Sequence, residues 1–140
     1  MRSSWLIDAD VLIEGERQNP AFDAWRKSAG DFATADIVRG QFLLGVHSVK
    51  DAAKRERGLE FYAERVATLS SLPNQPEDYE RAAALAGEAW RNGRGGPDLM
   101  DALLAAIALC TGATVATRNV KDFKAMGCPC QNPLSNATDR

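Results

Sequence analysis

Short apolar runs alternate with longer amphipathic segments along this chain, and this alternation limits its fold more than any other feature. Residues 97–110 are apolar on most sides of a helix, which predicts a central, buried helix. Runs with the length and composition of buried strands are found at 4–7, 31–35, 70–73 and 113–117. Strands separated by helices predict an α/β domain with a mainly parallel central sheet flanked by helices.

Length and composition indicate a single globular unit. The 140 residues are 45% hydrophobic and 26% charged, which is typical of one soluble domain. We expect this domain to span residues 1–132, followed by a polar tail at 133–140. The longest uncharged run, 102–117, is too short for a membrane span, so no membrane partner is expected. A net charge of −2 argues against a basic protein that coats nucleic acid, but it allows a local basic patch.

The cysteines and the single histidine argue against a zinc or thiol-based site. Cys128 and Cys130 are separated by one residue, whereas redox and zinc motifs have two. His47 is the only imidazole, so no plausible Ser-His or Cys-His pair is available for nucleophilic catalysis. No basic segment precedes an apolar one as in a secretory signal, and we expect the protein to be cytoplasmic.

Acidic residues lie where a parallel sheet binds its ligands. Asp8 follows the first predicted strand, Asp122 follows the fourth with Asn119 beside it, and Asp101 lies in the first turn of the buried helix. Each residue alone could be a turn residue or a helix cap. Together they would repel one another unless a cation compensates them, and oxygen ligands suit Mg²⁺ or Mn²⁺.

Four segments carry a family resemblance. Residues 6–13, 42–46, 101–106 and 117–123 resemble, in order, the four motifs of PIN-domain ribonucleases, and most of all those of VapC-type toxins of bacterial toxin–antitoxin pairs. The resemblance implies a three-layer domain and an endoribonuclease that uses Mg²⁺ or Mn²⁺. It also implies an RNA substrate, a homodimer and a VapB-type antitoxin as partner.

The same resemblance assigns the site. It implies metal binding by Asp8 and Asp101, with Asp122 as the only acid of the fourth motif. In the second motif the family has Glu four residues before the glycine, whereas this chain has Gln41, which keeps one carbonyl oxygen but loses the charge. We therefore expect weakened metal binding, in either a natural variant or a deliberately inactivated form.

Other polar residues are expected to support these acids. Asp10 is interpreted as a residue that holds the acids in place or as a helix cap, rather than as a direct metal ligand, and Asp98 mainly as a helix cap. Thr117 and Asn119 of the fourth motif are candidates for the same supporting role.

Basic residues near these segments could bind RNA phosphates, which positions a nucleic acid without reading its sequence. The candidates are Arg94, in a glycine-rich loop, with Arg118 and Lys121. The alternative for Arg94 is that Gly93 ends a helix and the neighbouring arginines are simply solvated.

Two other functions remain open from the sequence. A PIN-fold module could bind RNA or protein without cutting, because Gln41 replaces the acid. A phosphotransferase of the haloacid-dehalogenase type could use Asp8 as its nucleophile. For partner contacts, the helical segments 22–25 and 42–46 offer apolar residues, although for each residue by itself a place in the domain's own core is the better interpretation.

Overall fold

A parallel sheet of five strands forms the centre of the computed structural model, which describes residues 4–93 and 96–135. The strands are β1 (Ser4–Ile7), β2 (Asp31–Ala35), β3 (Ser70–Leu72), β4 (Thr114–Ala116) and β5 (Cys130–Gln131). Their order is β3-β2-β1-β4-β5, and each neighbouring pair is parallel. The predicted sheet is confirmed, and β5 is an additional strand that the sequence did not indicate.

Helices connect the strands and fall into two groups. They are α1 (Ala9–Glu16), α2 (Pro20–Ala29), α3 (Asp36–His47), α4 (Ala52–Phe61), α5 (Pro76–Arg91), α6 (Leu99–Thr111) and α7 (Val120–Ala125). Helix α4 continues as a π-helical segment over Tyr62–Val66. In the first group α1 contacts α2 and α3, and α3 also contacts α4. In the second group α6 contacts both α5 and α7. A sheet flanked by helices is confirmed.

Local sequence signals set the ends of the helices next to the sheet. Asn19 caps α2, and Pro20 follows it at the first helical position. The Asp98 side chain caps α6, which ends at Gly112 with a φ of 77°. That left-handed conformation suits glycine and turns the chain directly into β4.

The core lies around α6, where every residue from Ala102 to Ala108 is buried. Phe22, Phe42 and Val46, which were candidates for a partner surface, are 2%, 1% and 8% exposed and belong to this core. For these three the preferred interpretation, a place in the domain's own core, is confirmed, and they are not available as a contact surface. Leu134, inside the predicted polar tail, also packs against the core.

No helix within residues 4–93 and 96–135 combines the length and apolar character that crossing a membrane requires.

Candidate active site

The adjacent strands β1 and β4 bring Asp8 and Thr117 together at the carboxyl edge of the sheet. The Thr117 hydroxyl donates a hydrogen bond to Asp8 Oδ2 at 2.9 Å, and both side chains are buried. The other oxygen, Oδ1, accepts from the backbone N–H of Ala9 at 2.8 Å, so Asp8 is the N-cap of α1. Asp8 is therefore fixed through both oxygens at the start of a helix, where the dipole favours negative charge.

Asp10 lies two residues after Asp8, in the first turn of α1. Its Oδ2 accepts from the backbone N–H of Arg118 at 3.0 Å and lies 3.4 Å from the Thr117 hydroxyl. The alternative prediction that Asp10 caps a helix is wrong, because Asp8 occupies the capping position. Instead Asp10 holds the segment that follows β4 against the start of α1.

Asn119 joins the other two predicted acids. Its Nδ2 group donates to Asp122 Oδ2 at 3.0 Å and to Asp101 Oδ2 at 3.4 Å. The Asn119 backbone N–H in turn donates to the Thr117 hydroxyl at 2.9 Å. Asp101 from α6 and Asp122 from α7 thus both accept from the Asn119 side-chain amide, and the Thr117 hydroxyl joins the Asn119 backbone to Asp8.

Asp98 caps the start of α6, and the Gln41 side chain reaches the same turn from α3. Asp98 is exposed, and its Oδ1 accepts from the backbone N–H of Asp101 at 2.7 Å, which fits its predicted capping role. Gln41 Nε2 donates to the sulfur of Met100 at 3.8 Å. The Gln41 side chain is thereby placed beside the residue that precedes Asp101.

Burial and like charge disturb the ionisation of Asp8. Desolvation is the largest cause and the neighbouring Asp10 carboxylate the second, and together they raise the pKa of Asp8 to about 6. The hydrogen bond from Thr117 acts in the opposite direction. Burial also raises the pKa of Asp10, against the lowering effect of the Arg118 backbone N–H.

The pKa of Asp101 is raised further than that of Asp8. Burial raises its pKa to about 7, with smaller contributions from the charges of Asp98, Asp8 and Asp122. Four carboxylates from three separate segments of the chain therefore act on one another. Strong perturbation of this kind in a polar site is typical of functional carboxylates.

The donor chemistry of these residues fits a hard divalent cation. The group consists of oxygen ligands with an excess of negative charge, as Mg²⁺ and Mn²⁺ prefer. Asp10 Oδ1 is buried and has no hydrogen-bond partner in the described part of the chain. Within the same residues, no three His, Cys, Asp or Glu side chains already form a group that could hold a metal ion.

The structure does not bring the predicted phosphate-binding residues together with the acids in the way that it brings the acids together with one another. Arg118 is half-exposed, and its guanidinium lies 3.3 Å from Glu14 Oε2. Lys121 is exposed in the first turn of α7. Arg94 lies outside the described residues. Sequence reasoning missed Glu14, although it stands four residues after Asp10 and so shares its face once 9–16 is recognised as helical.

Comparison with known proteins identifies the family. Residues 5–127 match the PIN domain. The chain is 29% identical over 119 residues to the protein named Ribonuclease VapC1 of Rickettsia felis, covering 85% of this chain and 87% of the relative. The resemblance predicted from the four motifs is confirmed.

Solved structures agree with that result. The crystal structure of FitAcB from Neisseria gonorrhoeae has a TM-score of 0.78 at 23% identity, covering 94% of this chain and 99% of that one. The structure of VapBC2 from Rickettsia felis, bound to a DNA fragment from their promoter, has a TM-score of 0.74 at 16% identity and coverages of 91% and 97%. At these identities the likeness establishes the fold. With the match over residues 5–127, it shows that this chain belongs to the PIN domain family.

Proposed function

We propose that this protein is a VapC-type endoribonuclease toxin that depends on Mg²⁺ or Mn²⁺ and acts on cytoplasmic RNA. Three observations support the proposal: the PIN domain, the similarity to a relative named as a ribonuclease, and the carboxylates at the carboxyl edge of the sheet. The observation that carries it furthest is the Asn119 amide, which holds Asp101 and Asp122 together while Asp8 acts on Asp101 electrostatically.

In this proposal Asp8, Asp101 and Asp122 would hold the ion through their carboxylate oxygens. When bound, a divalent cation supplies Lewis acidity and lowers the pKa of an attacking water. The Thr117 hydroxyl orients Asp8, and the Asn119 amide orients the other two carboxylates. Holding the ligands in advance in this way is how the residues around a metal site tune it. No side chain forms a covalent intermediate.

Arg118 and Lys121 are proposed to contact the RNA backbone on the side of α7. Arg118 is held at its backbone N–H by Asp10, which leaves its half-exposed guanidinium between Glu14 and solvent. A cation there can neutralise a phosphate and stabilise charge that develops in the transition state. Arg94 is proposed for the same role from the sequence alone.

The proposed protein partners are a VapB-type antitoxin and a second copy of this chain. Large apolar side chains around the start of α6 support a covered surface: Leu99 is 52% exposed, Met100 37% and Trp90 61%. The Trp90 indole N–H donates to Pro97 O at 2.9 Å, which fixes the ring against the turn before α6. Sedimentation at micromolar concentration should show a dimer, and a monomer there would remove the homodimer claim.

The test of the proposed activity is cleavage of total cellular RNA. The Gln41→Glu chain should cut RNA in Mn²⁺ faster than the chain with Gln41, because the added carboxylate strengthens cation binding. Excess chelator should stop cleavage, and Asp101→Asn in the Gln41→Glu background should remove it while leaving the fold intact by circular dichroism.

Failure of this test has a defined meaning. If neither chain cuts RNA in Mn²⁺, the protein is a non-catalytic PIN-fold binding module. Cleavage that continues in excess chelator would contradict a metal-dependent nuclease. A phosphotransferase of the haloacid-dehalogenase type is not supported, since the chain matches the PIN domain over residues 5–127.

A further inference from the structure

The buried Asp10 carboxylate has one oxygen whose role the fold does not account for. Its Oδ2 accepts from the Arg118 backbone N–H at 3.0 Å and lies near the Thr117 hydroxyl. Its Oδ1 has essentially no solvent access and meets no donor at hydrogen-bond geometry among the described residues, while the Val11 backbone N–H lies near enough to lower the pKa of the carboxyl. A buried acceptor left in this state costs about 1–3 kcal/mol, and more if it is charged.

The surroundings of Asp10 make this cost larger. Asp8 lies close enough for the two carboxylates to repel each other, since Asp10 is the second-largest cause of the raised pKa of Asp8. The charge of the Arg118 guanidinium lowers the pKa of Asp10, but that guanidinium pairs with Glu14 at 3.3 Å and is half-exposed. Positioning Arg118 does not explain the charge, because an asparagine could accept the same backbone hydrogen bond.

The position of Gln41 supplies a reason for an extra carboxylate. Gln41 stands where the family motif has an acid, and its amide contacts the Met100 sulfur. The candidate site therefore lacks one negative charge on the α3 side. Asp10, on α1, brings a negative charge and an oxygen without a partner to the same group of acids.

We propose that Asp10 takes the place of the missing acid, with its Oδ1 binding the divalent cation directly or through one of the waters around that cation. This inference rests on the proposed function and deepens it, since it adds as a ligand a residue of the first motif to which the resemblance assigns no metal binding. Asp10 then has two roles on two oxygens: Oδ2 positions the Arg118 segment, and Oδ1 serves the cation.

The test uses the full chain and MnCl₂ as the probe, with binding measured by calorimetry and by the shift in thermal unfolding. Asp10→Asn keeps the shape and the acceptor for Arg118 but removes the charge and the free oxygen. We expect Mn²⁺ affinity to fall by about tenfold or more, as for residues that support metal ligands elsewhere. Without metal the variant should unfold at the same temperature or higher, because a buried charge is gone.

Asp98→Asn is the matched control. It removes one carboxylate charge from the same group, and asparagine caps a helix as well as aspartate does. Its affinity loss should be clearly smaller than that of Asp10→Asn. Adding Gln41→Glu to Asp10→Asn should recover most of the lost affinity if the two positions substitute for each other.

Two results would overturn the inference separately from the proposed function. If the unmodified chain binds Mn²⁺ and Asp10→Asn binds it equally well, or loses no more than Asp98→Asn, then Asp10 only positions Arg118. If the unmodified chain itself binds no Mn²⁺ at millimolar concentration, the metal-dependent function fails as well. Should Asp10→Asn not fold, Asp10→Ser gives the same measurement without placing an amide in the buried position.

Discussion

Thr117 connects the two halves of the candidate site, Asp8 on one side and Asn119 with its carboxylates on the other, through its hydroxyl group. It donates to Asp8 Oδ2 and accepts from the Asn119 backbone N–H, both at 2.9 Å. Since Thr117 is fully buried, both bonds form away from competing water. The position of Asp8 relative to Asn119, and through it Asp101, therefore depends on one hydroxyl group.

Replacing Thr117 with valine should disturb Asp8 while serine should not. The Thr117 hydrogen bond lowers the pKa of Asp8, so its loss in Thr117→Val should raise that pKa further. The Asn119 N–H also loses its acceptor, which should cost about 1–3 kcal/mol of unfolding free energy. Carbon-detected NMR titration of the carboxyls and chemical denaturation measure both effects. Equal values for Thr117→Val and Thr117→Ser would contradict this role.

Gln41→Glu should strengthen Mn²⁺ binding. The Gln41 amide lies against Met100 at the start of α6, so a glutamate there adds a negative charge close to Asp101. Titration of Mn²⁺ into the two chains should show the tighter affinity for Gln41→Glu. If the affinities are the same, position 41 does not act on the cation and the second motif has been assigned wrongly.

At the scale of helices and strands, apolar patterns predicted the elements that carry them. The buried helix α6 and the apolar runs of β1, β2, β3 and β4 could be predicted within about two residues of their bounds. Helix α1 was missed because it is short and follows β1 directly, with Asp8 serving both as site residue and as cap. Strand β5 has two residues, too few for any pattern, and forms by pairing with β4.

The candidate site could be predicted as a list of residues but not as a set of contacts. The acids stood at strand and helix ends, which is a sequence-level property. The Asn119 amide between Asp101 and Asp122, and the ion pair of Arg118 with Glu14, depend on how α1, α6 and α7 approach one another. Long-range packing of this kind leaves no local signal in the chain.

The close approach of α1 and α2 depends on a glycine. A Cβ built on Gly15 would lie 2.7–2.9 Å from three ring atoms of Phe22, which is 2% exposed. Gly15→Ala should therefore destabilise the protein by about 1–3 kcal/mol through overpacking, beyond the gain in helix propensity.

The matched control is Gly87→Ala in α5, where a Cβ would meet nothing within 4 Å. This substitution should raise the unfolding free energy by about 0.5–1 kcal/mol. Urea denaturation of both variants measures the difference. Gly15→Ala as stable as Gly87→Ala would show that α1 and α2 can separate at little cost.

For the whole molecule, the parallel sheet explains why charge accumulates at one edge. All described strands point the same way, so the loops after β1 and β4 converge and bring Asp8, Thr117 and Asn119 to one end. The folded protein without bound cation carries the electrostatic cost of that arrangement. The carboxylates that are proposed to bind a cation therefore lower the stability of the folded protein when no cation is bound.

This cost should appear as a pH dependence of stability in chelator. The pKa values of Asp8 and Asp101, about 6 and about 7, lie above their ordinary value of 3.8. Between about pH 4 and 7 the folded state binds more protons than the unfolded state, so stability falls as pH rises. Asp8, which is only 7% exposed, should contribute about 2–3 kcal/mol.

Urea denaturation at pH 5 and pH 8 measures this effect. Asp8→Asn should be less pH-dependent than the unmodified chain, and saturating Mn²⁺ should restore stability at pH 8. A free energy of unfolding that rises from pH 5 to pH 8 more steeply in the unmodified chain than in Asp8→Asn would contradict the assigned shift.

The chemistry of the RNA ends tests the central claim most directly. The Gln41→Glu chain is incubated with a defined RNA and Mn²⁺, and the product ends are identified by mass spectrometry. If the carboxylates position a cation and its attacking water, every new end should carry an acyclic phosphate or a free hydroxyl, and none should form in excess chelator. Products ending in a 2′,3′-cyclic phosphate would show attack by the RNA's own 2′-hydroxyl and contradict the account.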